Sequence, residues 1–179
     1  LKDLSQFKNR EVVVTRKMDG ENFSGYNNYC HARSLDSANH FTRNWSKNFW
    51  LQRSHNLPEG WRVWCENLYA THLLGFSIWN EENFCLSWKE TKEWFELLDM
   101  KIVPVLYEGI YGENLIKSLY DEKNDVYKHE GYVLRIADKF HYSEFNKCVA
   151  KYVRQNHVQT NEHWMYDCSK ISINELKQI

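Results

Sequence analysis

The sequence predicts a mixed α+β fold, and three observations carry that prediction. Val12, Val13 and Val14 stand together before an Asp19-Gly20 turn signal, the composition of a strand and the turn that follows it. Ser87-Trp88-Lys89-Glu90 has the form of a capping box at the start of a helix. Residues 131–137 and 147–153 alternate between apolar and polar side chains as strands do.

In chain order, residues 11–16 read as a buried strand because β-branched side chains suit a pleated surface. The turn after it delivers Lys17 at the mouth of a sheet, although a simple hairpin with Lys17 extending into solvent accounts for the same residues. Residues 22–33 read as a further hairpin. Thr42–Trp50 mixes Arg43 and Lys47 with Trp45, Phe49 and Trp50, which suits either a grip on an RNA backbone or a helix packed through its aromatics. Residues 61–66 read as a strand, and residues 74–86 as two short strands broken at Asn80–Asn83. The capped helix after Ser87 carries Trp88, Trp94, Phe95 and Leu98 near one face, so it packs through that face. A second helix is expected over residues 113–120.

With 179 residues, of which 42% are hydrophobic, the chain suffices for one domain with a proper core, and a single domain over 1–179 is expected. A net charge of −1 excludes a uniformly basic coat for nucleic acid but leaves room for a local cationic groove. Five cysteines, with no Cys-x-x-Cys pair, suggest neither a zinc knuckle nor a disulfide framework. No apolar stretch approaches the ~20 residues needed to span a bilayer and no leader is visible, so an intracellular protein with reduced thiols is expected. The abrupt start at Leu1 leaves room for residues upstream. His157–His163 lacks the spacing of a known metal motif.

The motifs sharpen this picture. Lys17-Met18-Asp19-Gly20-Glu21-Asn22 has the pattern Lys-x-Asp-Gly-x-Asn, and it is followed in order by Glu66-Asn67-Leu68-Tyr69, Phe76-Ser77-Ile78-Trp79, Glu130-Gly131-Tyr132-Val133-Leu134-Arg135 and Val149-Ala150-Lys151-Tyr152. His31-Ala32-Arg33-Ser34 adds an arginine-bearing strand soon after the first block. Together these resemble motifs I, III, IIIa, IV and V of the covalent nucleotidyltransferases, and most nearly the ATP-dependent RNA ligases of the phage double-strand-joining type. The resemblance covers roughly residues 10–155. It departs at motif V, where Val149 stands at the first of two lysine positions and only Lys151 remains. It departs also after His72, where a polar connection between motifs III and IIIa is short; residues missing from the numbering are the favoured explanation.

The resemblance implies a nucleotidyltransferase domain of twisted antiparallel sheets flanked by helices. It implies three nucleotidyl transfers: AMP to Lys17, AMP from Lys17 to an RNA 5′-phosphate, and attack of a 3′-hydroxyl that expels AMP. Arg16, Asn22, Arg33, Glu66, Phe76 and Lys151 would bind the nucleotide, with Glu66 on the ribose hydroxyl and Phe76 stacked on adenine. Leu74, Phe76 and Ile78 share one face by strict alternation, so an ordinary core strand explains Phe76 as well. Glu130 and Asp19 would serve Mg²⁺, which neutralises and aligns ATP phosphates. A lysine attacks phosphorus only as the neutral amine, which burial and a cation favour while Asp19 and Glu66 oppose it. The expected partners are ATP and nicked or broken RNA ends, engaged by a monomer without a membrane. GTP-using capping enzymes and DNA ligases share the lysine chemistry, and a silent RNA-binding or nucleotide-binding module retaining the fold is the alternative of another class.

Overall fold

The computed structural model describes residues 4–33, 43–68, 72–120 and 129–154. The His157–His163 stretch and Cys168 lie outside the described residues, as do Ser34 and Tyr69 of the motif blocks. The strands are β1 (Glu11–Lys17), β2 (Glu21–Tyr26), β3 (Cys30–Ala32), β4 (Arg62–Leu68), β5 (His72–Trp79), β6 (Phe84–Cys85), β7 (Val105–Ile110), β8 (Gly131–Ile136), β9 (Phe140–His141) and β10 (Val149–Val153). The helices are α1 (Asn44–Leu51), α2 (Trp88–Leu97), α3 (Glu113–Ser118) and α4 (Phe145–Cys148).

These strands form two antiparallel sheets. One has the order β10-β8-β1-β7 and the other β3-β2-β4-β5-β6-β9. Consecutive strands β1 and β2 belong to different sheets, so Asp19-Gly20 does not close the simple hairpin that its composition permits. Three residues carry the chain from the end of one sheet to the start of the other. β4 and β5 are paired up to Leu68 opposite His72, with residues 69–71 of that connection outside the described residues.

The smaller sheet packs in a core that it shares with Trp79, Cys85 and Phe140 of the larger one. Val12 and Val14 of β1 join Tyr132, Leu134 and Ile136 of β8 under Phe7 and Ile116. Val63, Cys65 and Ile78 of the larger sheet pack beneath Trp50 of α1, Phe95 of α2 and Leu98 just past its end. Trp50 and Phe95 are fully buried, each contributing about 1.5–3 kcal/mol relative to exposure. The capping box forms as expected: Ser87 Oγ accepts from the Glu90 amide at 3.3 Å while Glu90 reaches back to the Ser87 amide at 3.0 Å.

The Thr42–Trp50 stretch takes the packing alternative over its described part. Trp45 and Phe49 stack with centroids 4.9 Å apart, the Arg53 guanidinium lies 3.8 Å over Phe49, and Arg43 forms a bidentate pair with Glu21. Strand β7 has no counterpart in the sequence reading. It is the edge of its sheet, none of its residues is fully buried, and Gly109 interrupts it at φ 154°. Without a buried face, the strand has no alternation to read.

Candidate active site

The residues of motif IV meet Lys17 because of strand register. Antiparallel pairing sets Lys17 of β1 opposite Gly131 of β8, and the preceding residue, Glu130, accepts a hydrogen bond from Lys17 Nζ. Lys17 is 22% exposed and Glu130 10%, so the pair is sheltered but reachable. Glycine is required at 131: φ is 148°, and a Cβ there would lie 2.1 Å from the Tyr152 carbonyl oxygen. That close approach lets the Arg154 amide bond the Glu130 carbonyl at 2.9 Å, which ties β10 to Glu130.

Glu66 reaches the same place from the other sheet. It pairs in register with Asn22 of β2 and accepts a hydrogen bond from the Gly20 amide at 2.8 Å. A side chain on Gly20 would strike the Asn67 carbonyl at 2.5 Å, so the backbone approaches this carboxylate only as glycine. Burial pushes the Glu66 carboxyl up from 4.5 to about 7. The Gly20 amide and Lys17 pull it down, while Glu130 and Asp19 push it further up. Near neutrality Glu66 is thus divided between carboxylate and acid, able to accept or donate a hydrogen bond.

Both sheets face a cleft of about 440 Å³. Lys17, Glu66, Phe76 and Lys151 all line it. A bulge in β5 sets Ser77 opposite Trp64 and Gly75 opposite Cys65, leaving Phe76 as the extra residue. Strict alternation therefore fails here. Ile78 packs toward α2 and Leu74 joins Met18, Leu68 and Val103, while Phe76 borders that small cluster half-buried at the cleft. A bulge is a standard way to re-aim one side chain.

The remaining sequence candidates fall at different distances from this centre. Asp19 is exposed beside Lys17 in sequence, and Asn22 sits in the row of Glu66. Arg16 borders the cleft, yet alternation puts it on the strand face opposite Lys17, in register with Tyr132. Arg33 is exposed, one residue past β3, and is not among the residues lining the cleft. Val149 and Lys151 share the cleft-facing side of β10, so where the resemblance expects a lysine the wall is apolar.

Several lining residues had no site role in the sequence reading, which placed Trp88 on a packing face. Trp64, Trp79, Trp88, Phe140 and Phe145 form an aromatic floor, and Arg135 lies among them. The signal for Trp64 was its place two residues before Glu66 on an alternating strand, and Arg135 is likewise two residues beyond Val133. Aromatic content alone did not separate these from core residues.

A sequence profile of the RNA ligase family matches residues 10–153. The chain belongs to the RNA ligase family. No curated protein sequence matches it closely enough to count as a relative. Among solved structures, this RNA ligase family member resembles the Naegleria gruberi RNA ligase, determined as a mutant with ATP and Mn, at TM-score 0.63 and 18% identity over 84% of this chain and 51% of that one. Another mutant of that ligase, with AMP and Mn, gives 0.64 and 15%, covering 84% and 51%. An archaeal ATP-dependent RNA ligase gives 0.54 and 15%, covering 85% and 44%. These likenesses show the nucleotidyltransferase fold of RNA ligases in the two antiparallel sheets. The chain spans about half the length of the solved ligases it matches.

Proposed function

We propose that the chain is the lysine-adenylylating catalytic domain of an ATP-dependent RNA ligase. The observation that carries this reading is the meeting of Lys17, Glu66 and Lys151 at one cleft between two sheets, with Glu130 bonded to Lys17. Lys17 Nζ attacks the α-phosphorus of ATP, the Nζ–P bond forms and the bond to pyrophosphate breaks. Glu130 touches Nζ and is the first acceptor for the proton the amine must lose. Lys151 faces the charge that develops on the α-phosphate. Glu66 and Asn22 hold the ribose, and Phe76 stacks on the base. The AMP then passes to an RNA 5′-phosphate before a 3′-hydroxyl displaces it.

The acidic residues fit a divalent cation that arrives with the nucleotide. No group of three or more ligating side chains occurs among the described residues, but Mg²⁺ usually keeps several waters and takes one or two carboxylates together with substrate phosphates. Glu130 and Asp19 would hold it, and it would neutralise phosphate charge and favour the unprotonated amine. Broken or nicked RNA ends are the partners in this reading, with the protein acting as a monomer inside the cell. The free thiols Cys30, Cys65, Cys85 and Cys148 support a reducing compartment. No helix among the described residues is long and apolar enough to cross a membrane.

Incubation with labelled ATP or GTP and Mg²⁺, followed by a denaturing gel, tests the proposal. Covalent label from ATP that disappears in Lys17→Ala is the expected result. Absence of label in a folded parent would favour a silent module.

A further inference from the structure

Arg135 is 5% exposed, yet it lines the cleft. Its guanidinium lies 5.6 Å from the Trp88 ring and 5.5 Å from the Phe140 ring. Nε donates to the Ile136 carbonyl at 3.1 Å and Nη2 to the Leu86 carbonyl at 2.7 Å. The guanidinium also neighbours the Cys85 thiol, a further residue lining the cleft, while Nη1 itself is buried and makes no hydrogen bond of ordinary geometry among the described residues. Leaving a charged donor unsatisfied at depth is costly, and the fold tolerates it beside an open cavity.

We infer that Arg135 Nη1 reads the base of the bound nucleotide, donating to a ring-nitrogen acceptor on the far edge of a purine. This rests on the nucleotide-binding reading of the cleft and adds to it the group that selects the base. The strand itself gives the scale. Lys17 pairs with Gly131, and Arg135 stands four residues further along β8, roughly 13 Å at about 3.3 Å per residue. An α-phosphate held at Lys17 therefore leaves the ribose and base to span the distance toward Arg135.

The chemistry of the lining agrees. Cationic groups for phosphate, Lys17 and Lys151, lie toward one end, whereas Trp88 and Phe140 flank the Arg135 guanidinium and Trp64 and Trp79, which also line the cleft, lie beneath Arg62. Flat, mostly apolar walls with few polar groups, Arg135 and Ser77 among them, suit a heteroaromatic ring better than a hydrated polyphosphate. Across the sheet Arg135 is paired with Val149, so no second cation shares its register on β10. Cytosine and uracil rings are shorter from the ribose and reach the donor less well.

The test measures binding and lysine labelling with ATP and with 1-deaza-, 3-deaza- and 7-deaza-ATP, each of which replaces one ring nitrogen by C–H. Binding is followed by the emission of the tryptophans that line the cleft. In the parent, one analogue is expected to bind about 10-fold or more weaker than ATP, because it leaves the buried donor unpaired. In Arg135→Met that difference should vanish. Equal binding of all analogues to the parent would overturn the inference even if Arg135→Met failed to fold. A uniform loss for ATP and every analogue in Arg135→Met would also overturn it, assigning Arg135 to phosphate or to packing. Analogue discrimination without any lysine label would uphold the base-reading role and sink the ligase chemistry instead. Failure of every nucleotide to bind would overturn both.

Discussion

Lys17 and Glu130 meet because Lys17 is opposite Gly131 across β1 and β8, which brings the carboxylate of the preceding residue onto the amine. Amine and carboxylate are 113 residues apart in sequence, so only the pairing of two strands makes them neighbours. The site is therefore as exact as the sheet register.

Removing individual groups should separate their roles. Lys17→Ala is expected to abolish covalent label altogether. Glu130→Ala and Lys151→Ala should each lower the adenylylation rate by roughly 10²-fold or more, as expected for groups that stabilise developing charge. Rates from single-turnover labelling decide this, and near-normal values in both variants would dismantle the proposed site.

The buried glycine beside Glu130 should resist even the smallest replacement. Gly131→Ala puts a Cβ within 2.1 Å of the Tyr152 carbonyl and strains a backbone at φ 148°. A loss of roughly 2–4 kcal/mol in denaturant unfolding is expected from strain together with displaced pairing. Stability unchanged by the substitution would show that β10 can retreat freely.

Glu66 makes the stability of the ligand-free protein depend on pH. Its proton is held up to about pH 7 in the folded state, against an ordinary value of 4.5. The folded state thus binds more protons than the unfolded chain between these values, and stability from this group falls as pH rises from 4.5 to 7. The full effect is about 3 kcal/mol. Melting temperatures of the parent and of Glu66→Gln, measured from pH 4 to 8, should diverge in favour of the variant as pH rises. Parallel curves would remove the burial argument.

Phe76 is expected to matter more for binding than for folding. Half-buried at the cleft, it gives up little packing in Phe76→Ala, while a lost base stack is worth ~1–3 kcal/mol. Nucleotide affinity should fall several-fold or more with a small change in melting temperature. The reverse pattern, a large stability loss with intact affinity, would return Phe76 to the core.

RNA sealing should respond to salt more steeply than self-adenylylation. Binding of RNA by local positive charge weakens as counterion release loses its driving force. Arg43 is not expected to contribute much, since Glu21 holds its guanidinium in three hydrogen bonds and raises its pKa. A salt series on nicked RNA and matched DNA provides the comparison; equal slopes, or a clear preference for an all-DNA nick, would favour a DNA ligase reading.

The sequence revealed most of what depends on neighbours along the chain. The valine run, the hairpin of β2 and β3, and the Ser87–Glu90 cap are local features, and their elements form close to the expected bounds. Of the residues singled out by motif order, Arg16, Lys17, Glu66, Phe76 and Lys151 line the cleft, while Asp19, Asn22, Arg33 and Glu130 are not among its lining. What stayed hidden depends on sheet partnership. The Asp19-Gly20 turn looks the same whether it closes a hairpin or links two sheets, and the β5 bulge that parts Ile78 from Leu74 and Phe76 exists only through its pairing with β4. Edge strand β7 lacked a buried face, and the orphan donor on Arg135 appears only when the surrounding rings and carbonyls are in place.

The three-residue passage from β1 to β2 has a consequence for how such a chain tolerates length changes. Side chains alternate along a strand, so inserting or deleting one residue among Met18, Asp19 and Gly20 would reverse every residue of β2 if its hydrogen-bonded register moved with it. Phe23 would then exchange places with Asn22, turning an apolar ring toward the cleft and the amide toward the buried core beneath α1. The passage is thus a spacer of fixed length, and variation in this part of the molecule is confined to what the side chains are rather than how many there are.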